Sequence, residues 1–366
     1  MHDIIERNQQ LIEFLESKGY SPVPVNGYKV INNYAGIEEE VTALYKGVGL
    51  RNISHLGIVE MKGKDVLDFL HRISTNSIKD LPKEGVRKTL FTSDKGRIIG
   101  LSTLINFENY QLLVCAPDNK NKIMSWTRKY IISDDVLVNE ANTKYNLLEL
   151  SGPQAASFAT LICGKVVNDI NENSFKIINT ENLLFFLIRL DDERGYPRYW
   201  FLGDFENTKR LIDYMMEYTG VFDFKLVGEE AYNIYRIEQG IPGSPNELND
   251  SINPHEAGLI NYIDFKKGCY IGQEVIARLD TYDKVQRRIT GVKLLDTINL
   301  NDNFTLYSNG IEAGVITSAA YSPKLKSHIG LAFIKKAFLQ EGNTLQAVNA
   351  QGEKKPVVIE SLPFIK

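Results

Sequence analysis

The sequence predicts an α+β protein that ends in a separate small β-barrel or sandwich. A strand, a glycine-containing turn and a helix follow one another twice, over Val59–Ile73 and over Leu147–Ile162. After about Gly291 the helical signal fades into short apolar runs separated by Gly, Asn and Pro. The length, 366 residues, exceeds one core at roughly 150 residues per domain. We divide the chain into 1–140 and 141–288, two α+β parts, and 289–366, the β part.

Each element has its own signal. Ile4, Ile5, Leu11, Ile12, Phe14 and Leu15 fall near a period of 3.6 and predict a first helix stopped at Gly19. A loop from Pro22 to Gly27 leads to a short helix over Glu38–Lys46, with Val41, Leu44 and Tyr45 as its apolar side. Ile58–Met61 reads as a strand, Gly63 as a turn, and Val66, Leu67, Phe69, Leu70 and Ile73 as the apolar face of a helix. Ile98–Ile105 and Tyr110–Val114 form a hairpin, and Asn121–Tyr130 returns to helix. Leu147–Leu150 is a strand, Ser151-Gly152-Pro153 a turn, and Gln154–Ile162 a helix. Strands at Leu183–Leu190 and Tyr199–Gly203 precede a helix at Glu206–Thr219. Val315–Ala319, Ile329–Ile334, Leu345–Val348 and Val357–Ile359 are the strands of the last part.

Composition narrows the function. Lys plus Arg number 42 against 46 Asp plus Glu, so no global cationic field draws in nucleic acid, although a local basic patch stays open. Three scattered cysteines, Cys115, Cys163 and Cys269, argue against a disulfide framework and fit a reducing compartment. They also argue against a zinc site or an iron–sulfur cluster held wholly by this chain. The five histidines show no metal-ligand spacing, and no metal site is expected. The opening Met1-His2-Asp3 has no cationic leader, and the longest apolar run, Leu183–Ile188, is too short to span a bilayer. A cytoplasmic protein with neither membrane nor nucleic-acid partner is expected.

Phosphate-loop, H-E-x-x-H, G-x-S-x-G and G-x-G-x-x-G motifs are absent. The most informative stretch is Arg236–Asp283, where Gly240, Pro242, Gly243, Pro245, Pro254, Gly258, Gly268 and Gly272 interrupt any regular element. A long non-repetitive loop in a compact domain is either functional or a structural crossover.

Within it, Lys267-Gly268-Cys269-Tyr270-Ile271-Gly272-Gln273-Glu274 resembles the K-G-C-Y-x-G-Q-E signature of the YgfZ folate-binding family. Arg236-Ile237-Glu238-Gln239-Gly240-Ile241-Pro242 and Pro254-His255-Glu256-Ala257-Gly258 resemble R-L-E-A-G-x-P and P-x-E-A-G of glycine cleavage T-proteins. Gly49–Gly57 is similar to their G-L-x-D-V-S-H-M-G, Thr75-Asn76 to the T-N that follows, and Ser151–Ala155 to x-G-P-x-A. Gly314–Ser318 with Ser322–Leu325 resembles G-x-V-T-S…S-P-x-L. The motifs run in order over residues 38–348, and the chain is identified as a member of the T-protein/YgfZ superfamily. The resemblance implies a three-domain ring with a C-terminal β-barrel and tetrahydrofolate, or a reduced derivative, as the bound small molecule. Glu238 takes the implied pterin-binding position, with Tyr196, Gln273 and Arg278 as further folate contacts. Tyr196, in Arg194-Gly195-Tyr196, either stacks on a pterin or fills the core.

The two branches of the superfamily differ in chemistry. T-proteins move an aminomethyl group from a lipoyl arm to tetrahydrofolate, assisted by an aspartate in G-G-x-x-D-D. The matching stretch here is Gly96-Arg97-Ile98-Ile99-Gly100-Leu101, and Leu101 can neither accept a proton nor stabilise a developing cation. Cys115 replaces the asparagine of V-V-N-A, and Gln273 the arginine of G-R-E. In their place stands Cys269, preceded by Lys266 and Lys267, two cations of the kind that turn a thiol into a nucleophile. The alternative is an inert buried thiol. The leading expectation is therefore a YgfZ-type folate-binding protein that supports iron–sulfur enzymes through an iron–sulfur client, with Cys269 as its catalytic group. The alternative is a folate-dependent aminomethyltransferase, or a related methyltransferase, partnered by a lipoylated carrier. His55 is read as a structural histidine, and Arg278, Arg287 and Arg288 either line a groove or form a solvated face.

Overall fold

Helical periodicity and strand alternation both carry through into the computed structural model, which describes residues 3–25, 27–190, 195–281, 285–296 and 302–365. Two units emerge. The first holds residues up to Leu70, Ile78–Lys88 and Ser102–Tyr232; the second holds His71–Ser77, Thr89–Leu101 and the chain from Asn233 on.

The first unit begins with α1 (Asp3–Ser17), the hairpin β1 (Pro22–Val25) and β2 (Tyr28–Ile31), α2 (Ile37–Lys46), β3 (Val48–Asn52), β4 (Gly57–Lys62) and α3 (Val66–Ile73). There follow β5 (Val86–Thr92), β6 (Ile98–Asn106), β7 (Gln111–Cys115), α4 (Lys120–Tyr130), β8 (Leu137–Glu140), β9 (Asn146–Ser151) and α5 (Ala155–Cys163). It closes with β10 (Ser174–Thr180), β11 (Leu183–Leu190), β12 (Arg198–Gly203), α6 (Phe205–Glu217), β13 (Phe224–Leu226) and the start of α7 (Glu229–Glu238). Strands β5 and β6 continue from one unit's residues into the other's, as α3 and α7 do.

Six strands pair in the order β10-β11-β12-β9-β3-β13, all antiparallel except β13 beside β3. Strand β9 is buried on both faces because alternate residues meet different cores. Leu148 and Leu150 join Phe158, Phe201 and Leu211. Leu147 instead meets Ile58, Ile105, Leu112, Ile188 and Trp200. A second sheet runs β5-β6-β7-β4-β8. Both strand–turn–helix signals are therefore present, β4 with α3 and β9 with α5, and each strand lies between two antiparallel neighbours. The turn after β9 needs its glycine: Gly152 has φ +117°, and a Cβ there would stand 2.6 Å from the Gly47 carbonyl oxygen.

The second unit adds α8 (Gln273–Thr281), β14 (Arg287–Leu294), β15 (Phe304–Ser308), β16 (Ile311–Ser322), β17 (Ser327–Lys335), β18 (Thr344–Val348) and β19 (Lys354–Glu360). The six strands close as β14-β17-β16-β15-β18-β19, a barrel rather than a sandwich, around Val292, Leu306, Ile334, Leu345 and Val357. The α+β class with a terminal barrel is as predicted. Several strands were not. The loop expected at Pro22–Gly27 contains β1, and β2, β3, β5, β8, β10, β13 and β15 were not foreseen. Strand β3 escapes the apolar test because it carries a buried arginine, Arg51.

Candidate functional site

Between α7 and α8 of the second unit the only regular element is a single 3-10 turn, Ile260–Tyr262. Such a stretch is stable only if its polar groups find partners inside. Glu247 is fully buried and accepts from the Gly243 amide (2.9 Å), Arg236 Nη1 (3.1 Å) and the Ser318 hydroxyl (2.7 Å). Arg236 reaches on to Asn233 and to Ser318 itself. Glu256 accepts from Arg97 (3.1 Å), Arg287 (3.0 Å) and the Asn253 amide (2.9 Å). Arg287 is thus held by a buried carboxylate and is not a freely solvated side chain. Glu238, at the end of α7, is 0% exposed, and its Oε1 accepts the Ser322 hydroxyl. That bond ties α7 to β16 through one carboxylate oxygen and fixes the orientation of the Glu238 side chain.

The K-G-C-Y stretch forms a turn pinned on both sides of its cysteine. Before it, Lys267 Nζ donates to the carbonyls of His71, Ser74 (2.6 Å) and Asn76 (3.0 Å). After it, the Thr92 hydroxyl donates to the Ile271 carbonyl (2.7 Å). Gly272, at φ +85°, lies so close to the next loop that a Cβ would meet the Ser93 oxygen at 2.4 Å. Between the pins, Gly268 and Cys269 are exposed. The alternative of a buried inert thiol therefore fails for Cys269. It holds for Cys115 and Cys163, whose thiols burial pushes up to about 12. The pair of cations expected at Cys269 is reduced, because three carbonyls take up the Lys267 ammonium and only Lys266 stays exposed. Gln273 is half-buried at the start of α8, and Arg278 is exposed five residues on, a spacing that puts the two on different faces of the helix.

Tyr196 belongs to the first unit and is 43% exposed; it does not fill a core. Arg194 lies outside the described residues. Leu101 packs against an apolar cluster of Leu90, Ile98, Leu248, Ile252 and Tyr270. Asp94 is exposed in the β5–β6 turn, where its carboxylate accepts from the neighbouring Lys95 amide. Neither supplies a carboxylate at the Leu101 position.

One constellation in the first unit had no signal in the sequence. Arg51 on β3 is buried, with Nε and Nη2 on the two Glu229 oxygens (2.9 and 3.1 Å) and its guanidinium carbon 3.5 Å from the centre of the Tyr232 ring. Glu149 on β9 lies 3.4 Å from the same guanidinium, accepts from the Trp200 indole (2.9 Å) and lies 3.5 Å from Arg198. Burial pulls half-buried His55 down, while Glu229 works in the other direction.

Residues 11–267 match the GCVT N-terminal domain family, and residues 287–366 the glycine cleavage T-protein C-terminal barrel domain. The chain belongs to the glycine cleavage T-protein family. Aminomethyltransferase from Desulfitobacterium hafniense is 26% identical over 347 residues, 94% of each chain. Aminomethyltransferase from Bacillus pumilus is 26% identical over 364 residues, 97% of this chain and 98% of its own. The crystal structure of the glycine cleavage system aminomethyltransferase T from Bartonella henselae superposes with a TM-score of 0.84, at 20% identity, over 97% of each chain. These relatives displace the YgfZ-type expectation from the lead: they are named aminomethyltransferase, and none supports an iron–sulfur role. Within this T-protein-family chain, the two family matches stop at Lys267 and resume at Arg287, so Cys269, Gln273 and Arg278 lie between them. Among the described residues there is no group of three or more His, Cys, Asp or Glu that could hold a metal, and no helix long and apolar enough to cross a membrane.

Proposed function

We propose that the protein is a folate-dependent one-carbon transferase of the aminomethyltransferase type, with tetrahydrofolate as acceptor and a lipoylated carrier protein as donor. The observation that carries this reading is the near-complete coverage, in both directions, of relatives named aminomethyltransferase. Within the second unit, Gln273, half-buried at the start of α8, is proposed as a folate contact. Glu238 is proposed as the pterin-binding carboxylate, oriented by the Ser322 hydroxyl that its Oε1 accepts. Because Leu101 packs among apolar side chains, the proton-handling group of the T-protein reaction is missing from its usual position, and turnover is expected to be slow.

That packing favours a second reading, a folate-binding protein without aminomethyl transfer, in which exposed Cys269 is the reactive group. One experiment separates the two. Purified protein is mixed with aminomethyl-loaded carrier and tetrahydrofolate, and methylene-tetrahydrofolate and ammonia are measured while calorimetry follows folate binding. Product formation supports the first reading. Binding without product supports the second, and absence of binding to any reduced folate refutes both.

A further inference from the structure

Lys267 has no task in the proposed function, yet it is among the most tightly held polar side chains of the second unit. Its Nζ donates to the carbonyls of His71, Ser74 and Asn76, at the C-terminal end of α3 and just beyond. An ammonium carries three N–H donors and no acceptor, so three carbonyls match it one for one. The end of a helix also presents carbonyl oxygens whose summed dipole favours a cation. The side chain is nine-tenths buried, and the Tyr270 ring lies 5.2 Å from Nζ, adding a cation–π contact. Burial draws Lys267 down to about 8 while Asp264 works against it, which leaves the amine charged at neutral pH. Thr75, between the accepting carbonyls of Ser74 and Asn76, is itself fixed: its carbonyl accepts from the Asp264 amide (3.0 Å) and its hydroxyl donates to the Tyr262 carbonyl (2.7 Å).

We propose that these three carbonyls form a monovalent-cation site which Lys267 fills with a tethered ammonium, and that filling it positions the exposed Cys269 turn. Rings of carbonyl oxygens replace the hydration shell of potassium in the same way, and ammonium is close to potassium in size. Lys267 is a positioning residue: it fixes the turn two residues before the thiol, as the Thr92 bond to Ile271 fixes it two residues after. The inference does not depend on folate.

The test uses the full chain at pH 7. In a choline buffer, Lys267→Ala lowers the folding equilibrium constant by roughly tenfold or more, the scale of one charged hydrogen bond lost, and speeds alkylation of Cys269 by iodoacetamide. Potassium or ammonium restores both readouts towards wild type; choline does not, and wild type responds to neither salt. Lys267→Met is as impaired and is not restored, because its side chain fills the cage. The proposal is overturned if Lys267→Ala behaves alike in all salts, or if Lys267→Met matches wild type in stability and alkylation rate. Should Lys267→Ala fail to fold in every salt, acetylation of the unmodified native protein decides. Lys267 is then labelled far more slowly than Lys266, and equal rates refute the cage.

Discussion

Arg236→Met would leave Glu247 buried with its cationic partner gone. The pair is 3.1 Å apart, with side-chain exposures of 12% and 0%. Water cannot reach the carboxylate to replace the guanidinium, and breaking a buried pair from one side costs about 3–5 kcal/mol. Two acceptor bonds survive at Glu247, from the Gly243 amide and the Ser318 hydroxyl, so the lower end of that range applies. The readout must be local. Both tryptophans, Trp126 and Trp200, belong to the first unit, so their fluorescence is not the probe for this pair. Hydrogen exchange of β16 around Ser318 and of the 239–258 segment is the suitable assay, because it reports opening free energy residue by residue. A loss of about 3 kcal/mol speeds exchange there roughly 150-fold. Arg236→Met combined with Glu247→Leu removes both charges, and the pair should recover at least about 1 kcal/mol relative to the sum of the single changes. Exchange in Arg236→Met within roughly threefold of wild type would refute the reasoning, since it would mean under about 1 kcal/mol for a fully enclosed carboxylate.

Three further outcomes are expected. Arg51→Lys cannot reproduce the two-pronged contact with Glu229 or the stack on Tyr232, so thermal unfolding should show a loss of about 2 kcal/mol, and Trp200 emission should shift because the planar guanidinium beside its indole partner Glu149 is replaced by a compact ammonium. Burial pushes the Glu60 carboxyl up, but hydrogen bonds from Lys144 and Lys62 outweigh it and hold it below the usual carboxylate range; its stabilisation is complete above the unfolded value and lost as pH falls through the folded one, so Glu60→Gln should flatten the acid limb of a stability–pH curve. Leu101→Asp should raise methylene-tetrahydrofolate formation by about 10²-fold or more if the absent carboxylate limits turnover, and an unchanged rate would place the limit elsewhere.

What could be read from the residues was local; what could not was the identity of distant partners. Val66, Phe69, Leu70 and Ile73 announce α3 by spacing alone, and Ile98–Ile105 with Tyr110–Val114 announces a hairpin, because the partners lie within a few residues. The polar framework has no such signature. Glu238 and Glu247 look like open carboxylates in a glycine-rich loop, yet serines 84 and 71 residues downstream on β16 enclose them. Arg51 turns a buried strand into apparent surface text, and its partner Glu229 is 178 residues away. Lys267 is the plainest case. Next to Cys269 in the chain, it reads as a cation for the thiol; in the fold its donors serve carbonyls 191 to 196 residues upstream. The motif identified the right turn and misassigned its charge, because adjacency fixes a lysine's Cα while its long flexible stem chooses among acceptors that only the tertiary structure supplies. A charged residue in a glycine-rich motif is therefore as strong a candidate for holding the motif's shape as for carrying its chemistry, and at Lys267 the three matched acceptors decide for shape.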